Sequence, residues 1–461
     1  MARPNPIKGQ NPIETRFFRE MDGTRRGLVH IHDGFVKRCD FGFDAQLDCL
    51  GNQPAYVVLD DARVLALHQN QLVSTVDVQA YHNGQRVSSA ETVSHLALIG
   101  SDPWRADEPV RRVSFFCPDA DPLFVHAEKQ RRIVQAGSLS AGDLRLFHVP
   151  VGAGTYGATP IVHLSKNSPV CTIDGIRFWI EFSDGCPLDL FRQRLTWYLS
   201  FLSFLCNRRV APCSVRIGKT SDAAQAEHEV VWSWSATEAQ GEPCPVYAAP
   251  FAAQDDQDLA ALAEGLSCWI KRLDDWEDAY ARMMACLGST EEVSSERILA
   301  AWRWFERLPD TRERKVLDPL AIKPLADAAF AVAQEQGLDI SRKRIDGSLR
   351  TLCKEGFEQR VRRLVTSAMQ GMDIGGIWAE MTMDISAGRE IRGAAAHGST
   401  AKPGRQAAIQ RVRSTYATEA FCFLFTVKDL PLTPGRRGQL SHHPLVAEYI
   451  RLLAANRTSL P

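Results

Sequence analysis

Late in the chain the run Arg389-Glu390-Ile391-Arg392-Gly393-Ala394-Ala395-Ala396-His397-Gly398 sets Arg392 five positions before His397. An arginine fork grips a phosphate and steadies the charge that builds in a transition state. A histidine with an ordinary pKa of about 6.5 can take or give a proton at neutral pH. Together they suffice to cleave RNA without a metal, because the ribose 2′-hydroxyl supplies the nucleophile. Arg25/His30, Arg63/His68 and Arg437/His442 repeat the spacing, so the spacing alone specifies little. The Arg392 copy differs in setting: it ends a helical stretch, whereas the others fall in strand-like or loop segments. Five residues on an unbroken helix turn through about 140°, so the two side chains diverge unless Gly393 or Gly398 bends or ends the helix. The three alanines leave room for a neighbouring helix. The purely structural alternative is an arginine near a helix end followed by a capping histidine.

The surrounding charge fits a polyanion. The chain has 461 residues, Lys+Arg 54, Asp+Glu 55 and a net charge of −1, which argues against a uniformly basic nucleic-acid binder. The charge is unevenly spread: net −2 over 1–254, −8 over 255–340 and +9 over 341–461. Arg342, Lys343 and Arg344, with Arg360, Arg362 and Arg363, supply much of the late positive charge. They are candidate phosphate contacts that would make RNA binding salt-dependent, or else solvated helix faces. The acidic middle could shield the basic segment in a resting protein.

Other motifs lead nowhere. Gly152-Ala153-Gly154-Thr155-Tyr156-Gly157 fits G-x-G-x-x-G, but the Pro160 and β-branched residues that follow deny it the helix a dinucleotide needs. Gly218-Lys219-Thr220 lacks the first glycine of a phosphate loop, because position 213 is Cys213. His30-Ile31-His32-Asp33 offers two imidazoles and no third metal ligand. The 12 cysteines include no C-x-x-C pair. The chain is therefore expected to need neither metal nor cofactor. With no secretory leader and no apolar span, it is expected to be a reduced, cytoplasmic protein without membrane contact.

The elements that must position Arg392 divide in two. Residues 1–250 read as β-rich: Ile176, Phe178, Ile180 and Phe182 alternate with Arg177, Trp179 and Glu181. Leu72 to Val76 and His228 to Trp234 are strand-like, and Asn83-Gly84 is a hairpin turn. One helix is predicted at 187–206. After a linker at 237–250, residues 251–461 read as all-α. Leu259, Leu262, Leu266, Trp269, Leu273, Trp276, Tyr280, Met283 and Leu287 predict a long apolar seam on a single helix, packed in a core or against a second copy. Helices follow at 294–308, 321–336, 342–353, 357–371, 375–396 and 405–429. The expected fold class is α+β and multidomain.

An all-α C-terminal domain with Arg-x4-6-His before a final long helix resembles the HEPN domain. With a β-rich domain ahead of it, the chain resembles the ApeA-type bacterial anti-phage proteins. Leu195 to Leu202 and Arg303 to Leu308 also lie in the span covered by the resemblance. It implies a metal-independent endoribonuclease that cuts host or phage RNA in abortive infection, acts as a homodimer, and is controlled by an N-terminal sensor of a phage-derived trigger. Arg392 would polarise the scissile phosphate and His397 act as general acid or base, with Arg389 and Glu306 in support. Members often carry Asn, Asp or His where this chain has Gly393. Two other readings remain open. One is a non-catalytic HEPN module for RNA or nucleotide binding or dimerisation. The other is a ligand-binding β domain, hinted at by Trp232 and Trp234.

Overall fold

Ile176, Phe178, Ile180 and Phe182 are all buried, as their alternation predicts, and Trp179 on the opposite face is buried too. In the computed structural model their strand belongs to a twelve-stranded sheet. The structure describes the backbone of residues 14–20, 26–32, 35–42, 55–82, 85–105, 107–126, 128, 145–164, 171–220, 227–232, 243–288, 293–312, 314–316, 318–350, 353–370, 372, 374, 376–396 and 404–458. It also describes their side chains, except at 14–28, 30–57, 68–95, 163–172, 232, 319 and 456–458. The Asn83-Gly84 turn, Trp234 and His397 lie outside the described residues, as do the side chains of His30, His32 and Trp232.

The strands are β1 (Glu14–Glu20), β2 (Arg26–His32), β3 (Phe35–Gly42), β4 (Ala55–Leu59), β5 (Val64–His82), β6 (Gln85–Gly100), β7 (Val110–Phe116), β8 (Phe147–Val151), β9 (Gly154–Leu164), β10 (Cys171–Cys186), β11 (Cys213–Gly218) and β12 (His228–Trp232). Their order is β3-β2-β1-β4-β5-β6-β12-β11-β7-β10-β9-β8, and β3 also pairs with β6. β6 reaches β3 through Ser88–Ser94 and β12 through Leu96–Ile99. Among the described residues strands β1 to β6 therefore pair in a ring, although β4 covers β5 only over Val64–Leu67 and β1 only over Phe18–Glu20. Val29, Leu59, Leu65, Leu67, Ala97 and Ile99 form a buried cluster there. β5 and β6 pair up to His82 and Gln85, as the hairpin reading requires.

The glycine run is a hairpin turn. Val151 pairs with Gly154, and Gly152 takes φ +58, which suits a residue without a Cβ. Gly218-Lys219-Thr220 follows β11, where Lys219 binds Asp102 at 2.5 Å and Glu108 at 3.0 Å. Helix α1 (Phe191–Cys206) lays Leu195, Tyr198 and Leu202 inward, and Tyr198 donates to Gly157 O at 3.1 Å.

The chain forms two units, 1–202 with 210–239, and 203–209 with 240–461. The second is helical: α2 (Asp256–Lys271), α3 (Leu273–Met283), α4 (Ser295–Arg307), α5 (Pro319–Glu335), α6 (Arg342–Arg350), α7 (Phe357–Met369), α8 (Trp378–Ala396), α9 (Arg405–Val427), α10 (Pro434–Gln439) and α11 (Pro444–Thr458). The apolar seam is buried, as expected of a core, but it is not one helix. It breaks between Lys271 and Leu273. Arg272 sits at the joint, its guanidinium 4.2 Å from the Trp276 ring centre and 2.9 Å from Thr426 O. Helix α9 is the centre: apart from Tyr416, every residue from Ser414 to Val427 is buried. It packs on α4, α7, α8 and α11. No helix among the described residues is long and apolar enough to cross a membrane.

Candidate functional site

Helix α8 carries Arg392, and two features fix where α8 lies. Buried Asp384 accepts hydrogen bonds from Gln410 Nε2 at 3.2 Å, Arg413 Nη2 at 3.0 Å and Tyr449 Oη at 2.8 Å, which binds α8 to α9 and α11. One turn on, a Cβ added at Gly388 would overlap Ser414 Oγ and sit 2.7 Å from Trp302 Cζ2. The close helix approach expected at Ala394–Ala396 therefore occurs at Gly388, because Ala394 and Ala396 are exposed. Of the two glycines that could bend or end the helix, Gly393 does neither, since α8 runs unbroken through it to Ala396, and Gly398 lies outside the described residues.

This places Arg392 against the last turn of α4. Its guanidinium meets Glu306 at 3.1 Å, with both side chains half-exposed. The pair stands on the wall of a cleft of about 1030 Å³, bounded by the ends of α4 and α6, the start of α7 and the second half of α8. Five cations line it: Arg350, Lys354, Arg360, Arg389 and Arg392. Among the described residues two carboxylates line it, and both are engaged: Glu306 with Arg392, and Glu355 with Arg363 through two contacts of 2.8 Å. The Arg363 guanidinium holds the Glu355 carboxyl below its ordinary value. Arg350 pairs with Asp346 at 2.8 Å, and the described lining still holds more cations than carboxylates. A Cβ at Gly393 or Gly347 meets nothing within 4 Å, so both glycines border open space. The cleft is thus wide enough and charged to admit a phosphate-bearing chain.

A second cavity of about 940 Å³ shares Lys354, Gly356, Phe357 and Arg389 with the first. Phe357 stands between the two. Its ring is 5.9 Å from Trp302 and 6.4 Å from Phe305 on one side, and the Arg389 guanidinium lies 5.6 Å from its centre.

Of the residues predicted from sequence, Arg392, Arg389, Glu306 and Arg360 meet at the cleft. Arg362 does not: it pairs with Glu358 one turn before it, at 3.0 Å on the surface. Arg363 points to Glu355 and to the Asp310 carbonyl at 3.1 Å, which makes it a structural clamp rather than a ligand contact. Arg342 pairs with Asp327 at 2.7 Å and joins α5 to α6. Sequence reasoning missed Arg350, Lys354 and Phe357, although Arg350 and Lys354 lie at i and i+4 beside the basic run. Among the described residues no group of three His, Cys, Asp or Glu is placed to hold a metal ion.

Compared with family models, with curated proteins and with solved structures, the chain matches none.

Proposed function

We propose that the helical unit binds and cleaves RNA as a HEPN-type, metal-independent endoribonuclease. One observation carries this reading: Arg392 is held by Glu306 on the wall of a cleft whose described lining holds five cations and two engaged carboxylates. A half-exposed ion pair is weak enough to yield to a phosphate. In the proposed reaction the 2′-hydroxyl attacks phosphorus, the 5′-oxygen leaves, and the products end in a 2′,3′-cyclic phosphate and a 5′-hydroxyl. Arg392 neutralises charge on the phosphoryl oxygens. His397, five residues on, serves as the acid or base that moves the proton. The wider reading follows the resemblance. Two copies act together in anti-phage defence, and the β-rich unit senses the trigger.

The test is RNA cleavage by wild type against His397→Ala, or growth arrest on expression of each. Equal activity in the two proteins would reject the assignment. A second reading rests on the Arg392–Glu306 pair itself, which already satisfies the arginine, together with Gly393 beside it. In that case the cleft holds RNA without cutting it. Retention of RNA with no cyclic-phosphate ends would favour this reading, and clean cleavage would dismiss it.

A further inference from the structure

We propose that Phe357 and Arg389 form a nucleobase-stacking platform between the two cavities, so that the site takes unpaired RNA and excludes duplex. This rests on the reading of the first cavity as a phosphate cleft.

The two cavities differ in chemistry. The first is strongly cationic. In the second, Lys354 and Arg389 face Glu390 and a Glu358 already paired with Arg362, and the Ser386 hydroxyl and two carboxamides, Gln359 and Gln410, are the other polar side chains lining it among the described residues. These amides are half used. Gln359 Oε1 accepts the Gly356 N–H at 3.2 Å, which leaves its Nε2 as a donor. Gln410 Nε2 donates to Asp384 at 3.2 Å, which leaves its Oε1 as an acceptor. A donor and an acceptor in the lining of one cavity suit the edge of a base; the cations of the other suit phosphates.

Phe357 and Arg389 stand where the two linings meet. The ring is backed by Trp302 and Phe305 and capped by the guanidinium. Arg389 is itself exposed, so a flat group can lie on its outer face, as bases do on arginine planes in single-strand binders. A base can reach the platform only if it is unstacked and unpaired, whereas a duplex offers only phosphates to the first cavity.

The test is fluorescence anisotropy with the full chain and three probes: a single-stranded oligoribonucleotide, its blunt duplex, and inorganic polyphosphate. Arg389→Gln and Phe357→Leu are compared with wild type; the second keeps an apolar group against Trp302. Wild type should bind the single strand at least tenfold more tightly than the duplex. Phe357→Leu, which removes the ring under the guanidinium, should weaken single-strand binding about two- to fivefold and leave polyphosphate unchanged. Arg389→Gln should weaken the single strand more than polyphosphate. Equal wild-type affinity for strand and duplex, or unchanged single-strand affinity in Phe357→Leu, would overturn the platform while leaving the phosphate cleft intact. Wild-type binding to neither RNA nor polyphosphate would overturn both.

Discussion

Glu306 and Arg392 are half-exposed, and ion pairs of that kind contribute less than about 1 kcal/mol to stability. Glu306→Gln should therefore leave thermal unfolding almost unchanged, while Arg392→Ala should lower RNA cleavage at least about a hundredfold. A large loss of stability in Glu306→Gln would recast the pair as structural. A second titratable side chain has no part in the chemistry. His443 is fully buried, stacked 3.7 Å from Phe423, and neither ring nitrogen has a hydrogen-bond partner among the described residues. Burial pushes its imidazole down to about 3. The unfolded chain takes up this proton near pH 6.5 and the native chain does not. His443 therefore costs no stability above pH 6.5. It removes about 1.4 kcal/mol for each pH unit lost below that, down to about pH 3. Urea unfolding at pH 7, 6 and 5 should show this slope in wild type, and His443→Phe should flatten it by one proton's worth.

At the scale of elements, the two glycines of α8 make opposite predictions. Gly388 lies against Ser414 and Trp302, so Gly388→Ala should destabilise by about 1–3 kcal/mol. Gly393 is helical and borders open space, so Gly393→Ala should stabilise by about 0.5–1 kcal/mol. Denaturant midpoints for the two variants should move in opposite directions. Helices of this unit were legible where a breaker or a cap residue stood at their ends: Gly337 follows α5, and Gly356 precedes α7. The break at Arg272 was not legible, because Leu259 to Leu287 keep their period across it and no glycine or proline marks it; Gly265 lies inside α2. Both helices face the same core, and burial preserves the period whether or not the backbone is continuous. Helices α10 and α11 were missed, although Pro434 and Pro444 open them and Thr433 caps α10 by accepting the Arg436 N–H.

Over the whole molecule, the alternation in β10 and the β5–β6 hairpin could be read from local sequence. The closure of β3 on β6 could not, because it joins segments about fifty residues apart with no motif at either end. The same limit applied to the cleft. Charge bookkeeping placed an excess of +9 in residues 341–461. Only the fold separates Arg360 and Arg389, which face the cavity, from Arg363, which clamps Glu355. If the cleft holds single-stranded RNA, log Kd should vary with log salt by about 0.7 per phosphate contact, or about 2–3 in all. Arg360→Gln should cut that slope by about 0.7, and Arg362→Gln should leave it unchanged.

The most direct measurement is product-end analysis of an RNA incubated with the full chain in EDTA, wild type beside Arg392→Ala. The proposed chemistry predicts 2′,3′-cyclic phosphate ends from wild type and a rate at least about a hundredfold lower from a folded Arg392→Ala. Equal rates in the two proteins, or RNA held by wild type and never cut, would contradict it.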